Sequence, residues 1–332
     1  MRRGQSLRYG RGPHGRELPV SDSFTRLLEL FASGDRPPNP SQPISASGVV
    51  LLRDTPAGIQ VFVTRQSDAP GIEDRNRWSF PFGEISPADA RRLPMAGWSA
   101  EKCARTLRMD NTTRAIAHYA AAARVALENL GIVFACDAEG RLVSESDLPL
   151  LDQTRRKLFA REVRLPQALD YRDLAMRPDL LRPWLRWINT PWQLRRYDLV
   201  FFVAAVPAGQ VVDFRSPNDS WGGWMLPAEV LGSAGDTADH ISASARLLCE
   251  SIAELPSVGA AMAKIRDIRP LEPDVVRHDG QWWLSLDHRA DPSERGRLRD
   301  EELLSAGADE VEAKPLMAGD SFEPLGVAEE SQ

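Results

Sequence analysis

The chain is poor in cysteine: Cys103, Cys136 and Cys249 stand far apart, odd in number and without a CxxC pair. That excludes a disulfide framework and a thiolate zinc site, and it points to a reducing compartment. Long apolar runs are lacking too. The longest, Leu199 to Val206, falls far short of the roughly 20 residues that span a bilayer. The basic N-terminal stretch MRRGQSLRYGRGPHGR has no apolar segment behind it, so it is no secretory signal. Positive charge is not in excess: the net charge of -6 leaves no global electrostatic footprint for nucleic acid or an anionic membrane. There is no internal repeat. The cytosol is the expected compartment, and any anionic partner must be held by local charge.

A chain of 332 residues can bury one substantial core with insertions and tails. Residues 1–42 read as a mobile, Arg- and Gly-rich leader that includes one short helix. In that helix Phe24, Leu27, Leu28 and Phe31 recur at helical spacing, with Ser21 or Asp22 to cap it. Ser47 to Arg53 and Ile59 to Arg65 are β-branched, apolar runs around the turn Asp54 to Gly58, as expected of adjacent strands. Arg65, at the end of the second, is placed to meet a phosphate; a solvated strand end is the plainer alternative.

Ser99 is expected to cap a helix inside an insertion at about 90–113. Ala115 to Ile132 then carries Ile116, Tyr119, Ala120, Ala123, Leu127 and Leu130 at helical spacing, with Gly131 where a left-handed cap belongs. Short helices follow at Leu148 to Val163 and Leu165 to Leu174, within a helical excursion over about 145–190. Trp184, Trp187 and Trp192 lie among Arg182, Arg186, Arg195 and Arg196. Such a set either clamps a nucleotide by stacking and phosphate contacts or forms an amphipathic rim over the core. Tyr197 to Ala204 reads as a central strand, Ile241 to Leu255 as an amphipathic helix and Gln281 to Leu286 as a terminal strand. The polar, acidic stretch 291–332 is expected to be a disordered tail.

The run Arg124-Val125-Ala126-Leu127-Glu128-Asn129-Leu130-Gly131-Ile132 resembles the second half of the Nudix box, R-E-U-x-E-E-x-G-U with U aliphatic. Gly83 with Asp89 six positions on, after Phe80-Pro81, resembles the first half, G-x5-E. About thirty residues separate the halves, where the ordinary box has seven. Such a split box is similar to that of the coenzyme A diphosphatases of peroxisomal type and their bacterial relatives. The strand from Arg195 to Ala204 and the step Trp224-Met225-Leu226-Pro227-Ala228-Glu229 resemble further parts of that branch. The resemblance covers about Ser45 to Asp287. It implies an α/β fold, a Nudix-type α/β/α sandwich with a mixed sheet, helical insertions and disordered termini, occupying 43–290.

The implied reaction is metal-dependent hydrolysis of a nucleoside diphosphate derivative, coenzyme A-like, assisted by Mg2+ or Mn2+. The implied partner is a small nucleotide or coenzyme A derivative, with no nucleic acid and no membrane. Carried over residue by residue, the family's three helix glutamates fall on Val125, Glu128 and Asn129, which at helical spacing project from one face. Glu128 is the one box carboxylate left, braced by Arg124, and these two are the candidate catalytic residues. Asn129, Asp89 and Glu84 join Glu128 as candidate metal ligands; Gly83, Arg65, Arg196 and Trp187 are candidate substrate contacts. Valine offers no ligand and an amide only a neutral oxygen, whereas Mg2+ favours carboxylates and substrate phosphates. Phe82 also stands where the family has a first glycine. Hydrolysis is therefore expected to be weak or lost. The alternative is a binding or regulatory protein that keeps the cleft. His118 carries no assigned role.

Overall fold

The computed structural model describes residues 11–12, 15–32, 42–65, 77–86, 88–144, 147–215, 221–234, 240–286 and 299–300. Half of the expected leader and nearly all of the acidic tail lie outside these residues. Arg11–Gly12 pairs with Gly15–Pro19 (β1), and Asp22–Ala32 (α1) follows. Ser21 accepts from the Phe24 amide at 3.2 Å and so caps α1, which buries Phe24 and Leu28.

Ile44–Thr55 (β2) and Gly58–Arg65 (β3) form the expected hairpin. Thr55 Oγ1 closes the turn by donating to the Gly58 carbonyl at 2.8 Å. Gly58 sits at φ 118°, where a side chain would be strained. Trp78–Ser79 (β4) pairs with β3, and Phe82–Glu84 (β5) with β2, setting Gly83 opposite Ser47.

Ala100–Leu107 (α2) is capped by Ser99, as expected, and buries Cys103, Ala104 and Leu107. Thr112–Val125 (α3) begins earlier than its apolar pattern does, because the Asn111 side chain accepts from the Arg114 amide at 2.9 Å. Its alanines let it lie close on the sheet. There His118 Nδ1 meets Ser47 Oγ at 2.9 Å, and burial pushes the imidazole down to about 4 against the pull of Asp198. Ala126–Leu130 continue α3 as a π-helical turn, ended by Gly131 at φ 68°. Leu148–Phe159 (α4) and Leu165–Asp170 (α5) follow.

The end of the expected helical excursion is extended instead. Arg182–Ile188 (β6) is a strand, antiparallel to Tyr197–Ala205 (β7). Its tryptophans face inward, Trp184 donating to Ser251 Oγ at 2.8 Å. Trp221–Met225 (β8) leads into Pro227–Ala234 (α6), whose Glu229 accepts from the Leu226 amide at 2.8 Å. Ala243–Ala253 (α7), Val258–Ala263 (α8), Pro270–Leu271 (β9), Asp274–His278 (β10) and Gln281–Ser285 (β11) follow, besides the short strand pair Ala135–Cys136 with Ala175–Met176 and Arg299–Asp300 beside β10.

An eight-stranded mixed sheet runs β8-β3-β2-β7-β6-β9, with β4 and β5 attached to β3 and β2. β2 and β7 are parallel at its centre. One face, including Val49, Leu51, Val200 and Phe202, packs on α3. The other, including Val50, Leu52, Phe201 and Val203, packs on α7 and α8. Each such side chain, fully buried, contributes roughly 1.5–3 kcal/mol. The result is the expected α/β/α sandwich. No helix among the described residues is long and apolar enough to cross a membrane.

A second sheet takes in Gly15–Pro19, which lies within the stretch expected to be a mobile leader. β1 pairs with β11, which pairs with β10. Leu18, Phe24 and Leu28 form a third core with Trp187, Trp282 and Leu284. The strand expected at Gln281 to Leu286 thus belongs to this added sheet, because apolar residues near the N-terminus supply its partner.

Candidate functional site

The split box folds around Arg124. Strand β5 carries the chain over the end of α3, so that Arg124 Nη2 donates to the Glu84 carbonyl at 2.7 Å. Its Nε donates to Asp89 Oδ1 at 3.1 Å and Oδ2 at 3.3 Å, and its Nη1 to Glu128 Oε2 at 3.1 Å. Asp89 is fully buried and also accepts from the Ser86 amide at 3.0 Å. Burial works against the Arg124 charge, yet Asp89 and Glu128 outweigh it and raise the guanidinium further. Burial raises Glu128, with Arg124 opposing. This is an ion triad that satisfies itself.

The three box positions on the helix do not share one outlook. Val125 is buried in the core and pressed on Gly83: a β-carbon added there would lie 2.9 Å from Val125 Cγ2. Glu128 turns to Arg124. Asn129 turns its amide to the Arg215 carbonyl at 3.5 Å, while its own carbonyl accepts from the Arg215 amide at 2.7 Å. The π-helical turn begins directly after Val125, so Glu128 and Asn129 leave α-helical register with it. That accounts for the failure of the common face expected from the spacing.

Arg155 and Asp213 complete the end of the helix, and sequence reasoning passed over both. Arg155, buried, donates Nε to the Glu128 carbonyl at 3.1 Å and Nη1 to Asp213 Oδ2 at 2.6 Å. The Asp213 amide donates to the Leu130 carbonyl at 2.9 Å. Together they satisfy carbonyls that a helix end leaves without partners. No local spacing announces a pair so far apart in sequence.

The other expected residues are scattered. The Glu84 carboxylate is exposed and pairs with Arg195, with the Tyr197 hydroxyl at 3.4 Å. Arg196 pairs with Glu272 and donates to the Asn189 carbonyl at 2.8 Å, a bracing role away from Arg124. Arg65 lies over the Trp78 ring, 5.4 Å from its centroid. Trp187 is buried in the third core, and it also walls a cavity of about 340 Å³ bounded by β5, β7 and the starts of α1 and α7.

Mg2+ or Mn2+ would need several carboxylate oxygens free and convergent. Asp89 gives both oxygens to Arg124, Glu128 gives one, and the Glu84 side chain faces Arg195. Val125 offers nothing. Among the described residues no group of three or more His, Cys, Asp or Glu could hold a metal ion. These side chains do not fit a divalent cation, because a guanidinium already neutralises the acids.

No family model matches the chain, and no curated protein matches it. Among solved structures it is similar to a NUDIX hydrolase from Alicyclobacillus acidocaldarius, with 20% identity and a TM-score of 0.53 over 68% of this chain and 99% of that one. A MutT NUDIX hydrolase from Burkholderia pseudomallei matches at 12% identity and a TM-score of 0.29, over 64% of this chain and 99% of that one. The NUDIX domain of Shewanella oneidensis NrtR, complexed with ADP ribose, matches at 12% and 0.29, over 61% and 86%. The first of these likenesses establishes the architecture: the chain carries the Nudix-type α/β/α fold.

Proposed function

We propose that this chain is a Nudix-fold binding protein for a small nucleotide-like or coenzyme A-like molecule, in which metal-dependent diphosphate hydrolysis at the box helix is lost. The observation that carries this reading is the closed triad of Arg124, Asp89 and Glu128. A cation placed among these acids would have to displace a guanidinium held by carboxylates on two sides. Val125, sealed against Gly83, removes the further charge that would favour the exchange.

One observation favours the other reading, residual hydrolysis of a coenzyme A-like diphosphate. Burial raises the proton affinity of Glu128 beside the box turn, the direction that strengthens a carboxylate as a general base. Calorimetric titration of the full chain with Mg2+ and Mn2+, paired with hydrolysis assays on ADP-ribose and coenzyme A, separates the two. The binding reading expects no saturable metal uptake and no phosphate-monoester product. Metal-stimulated turnover that disappears in Glu128→Gln would replace it by the hydrolytic one.

A further inference from the structure

The cavity of about 340 Å³ lies on the face of the sheet turned away from α3. Its walls combine two properties. Phe80, Phe82, Trp187, Tyr197 and Phe201 present aromatic surface, with Phe82 and Tyr197 packed edge to face at 5.4 Å between centroids. The polar part of the wall carries Arg77, which donates to Ser23 Oγ, and Arg195, and among the described residues it includes no aspartate or glutamate. The start of α7 adds to this positive bias, whereas α1 carries Asp22 in its first turn. Ser21 and Phe24 line the cavity from α1, and Ser242, Ala243 and Ser244 from α7, where backbone amides carry partial positive charge. Glu84 does not line the cavity and pairs with Arg195.

Apolar walls with a few convergent polar groups are what small-molecule sites have in common. Here the charged groups, among the described residues, share one sign. The volume is at the low end of the roughly 300–1,000 Å³ range of such sites, so the cavity encloses one ring system and one charged group and leaves no room for a whole dinucleotide. From this we infer that the cavity is a binding site for a small aromatic anion, one flat ring system joined to a single phosphate or carboxylate. The ring lies among Phe82, Tyr197 and Trp187, and the anion meets Arg195 in exchange for Glu84. The inference rests on the binding reading above only in taking the chain to hold a ligand. It requires no metal.

The site is also built by parts outside the sandwich. Pro19, Val20 and Phe24 from the N-terminal unit and Leu284 from β11 close one side, so the second sheet has a use beyond covering the core.

The test is calorimetry on the full chain in EDTA, with adenosine monophosphate and indole-3-acetate as the anions and adenosine and indole as their neutral counterparts. At least one anion is expected to bind, about tenfold or more tighter than its neutral counterpart, as befits one charge-assisted hydrogen bond. The anion that binds tells phosphate from carboxylate. Arg195→Ala, at an exposed position, is expected to abolish the preference for the anion over its neutral counterpart. Ala243→Trp is expected to fill the cavity and remove binding of both, with circular dichroism unaltered. Absence of binding by either anion, equal affinity for anion and neutral ring, or an Arg195→Ala protein with the preference intact would each overturn the proposal. Metal uptake by the protein without these ligands would overturn the preceding reading and leave this one standing.

Discussion

Gly83 and Val125 touch so closely that the box turn can cross the helix only where the turn lacks a side chain: an added β-carbon would lie 2.9 Å from Val125 Cγ2. Gly83→Ala is therefore expected to destabilise the protein by about 1–3 kcal/mol through overpacking. In a double-mutant cycle with Val125→Ala, urea unfolding should show the pair costing less than the sum, by about 1 kcal/mol. Strict additivity would mean the contact does not set the turn.

Asp89→Asn keeps the volume but removes the carboxylate that accepts two Arg124 bonds. Because it leaves a buried guanidinium undercompensated, a loss of about 3–5 kcal/mol is expected in denaturant unfolding. Glu128→Gln, at the more exposed corner of the triad, is expected to cost less. The order of the two variants is the measurement that matters.

His118 supplies a pH dependence. Burial lowers its folded pKa to about 4 from an ordinary value of 6.5, so between these values the unfolded chain binds the extra proton. Stability is thus complete above about pH 6.5 and declines as pH falls toward 4, by about 3 kcal/mol from this group. Urea midpoints measured from pH 7 to 4.5 should fall less steeply in His118→Gln. An unchanged slope would assign the loss to other groups.

Restoring the box glutamates is expected not to restore a metal site. In Val125→Glu with Asn129→Glu, the first new carboxylate enters a sealed contact beside Gly83 and the second faces the Arg215 backbone. Reduced stability and no saturable Mn2+ uptake are the expected results of calorimetry on the double variant. Strong uptake would show that the helix end can return to a shared face.

Much of the sandwich was legible in the sequence because its signals are local. The small-residue periodicity of α3, Gly131 as its left-handed end, Ser99 before α2 and the apolar run of β7 each announce themselves within a few turns or residues. The site was legible as a set of positions and illegible as an arrangement. The spacing of Val125, Glu128 and Asn129 promised one face, but nothing in Ala126 to Leu130 signals a π-helical turn. Arg124 was paired with Glu128 from the helical interval, while its second acid, Asp89, lies across the insertion. β6 was missed because three tryptophans and several arginines read equally as an amphipathic surface. Only the partner β7 and the third core decide its state.

The pairing of β1 with β11 has a bearing on synthesis. Leu18 finds its neighbour Leu284 only once nearly the whole described chain has been made, so on the ribosome this strand, paired only with Arg11–Gly12, must wait with Leu18 uncovered while the sandwich forms behind it. Closing so long a loop is slow, and an uncovered strand in the interval invites wrong partners. Newly made chains are thus most exposed to aggregation and to chaperone capture at Gly15–Pro19, until Gln281–Ser285 emerges to cover it.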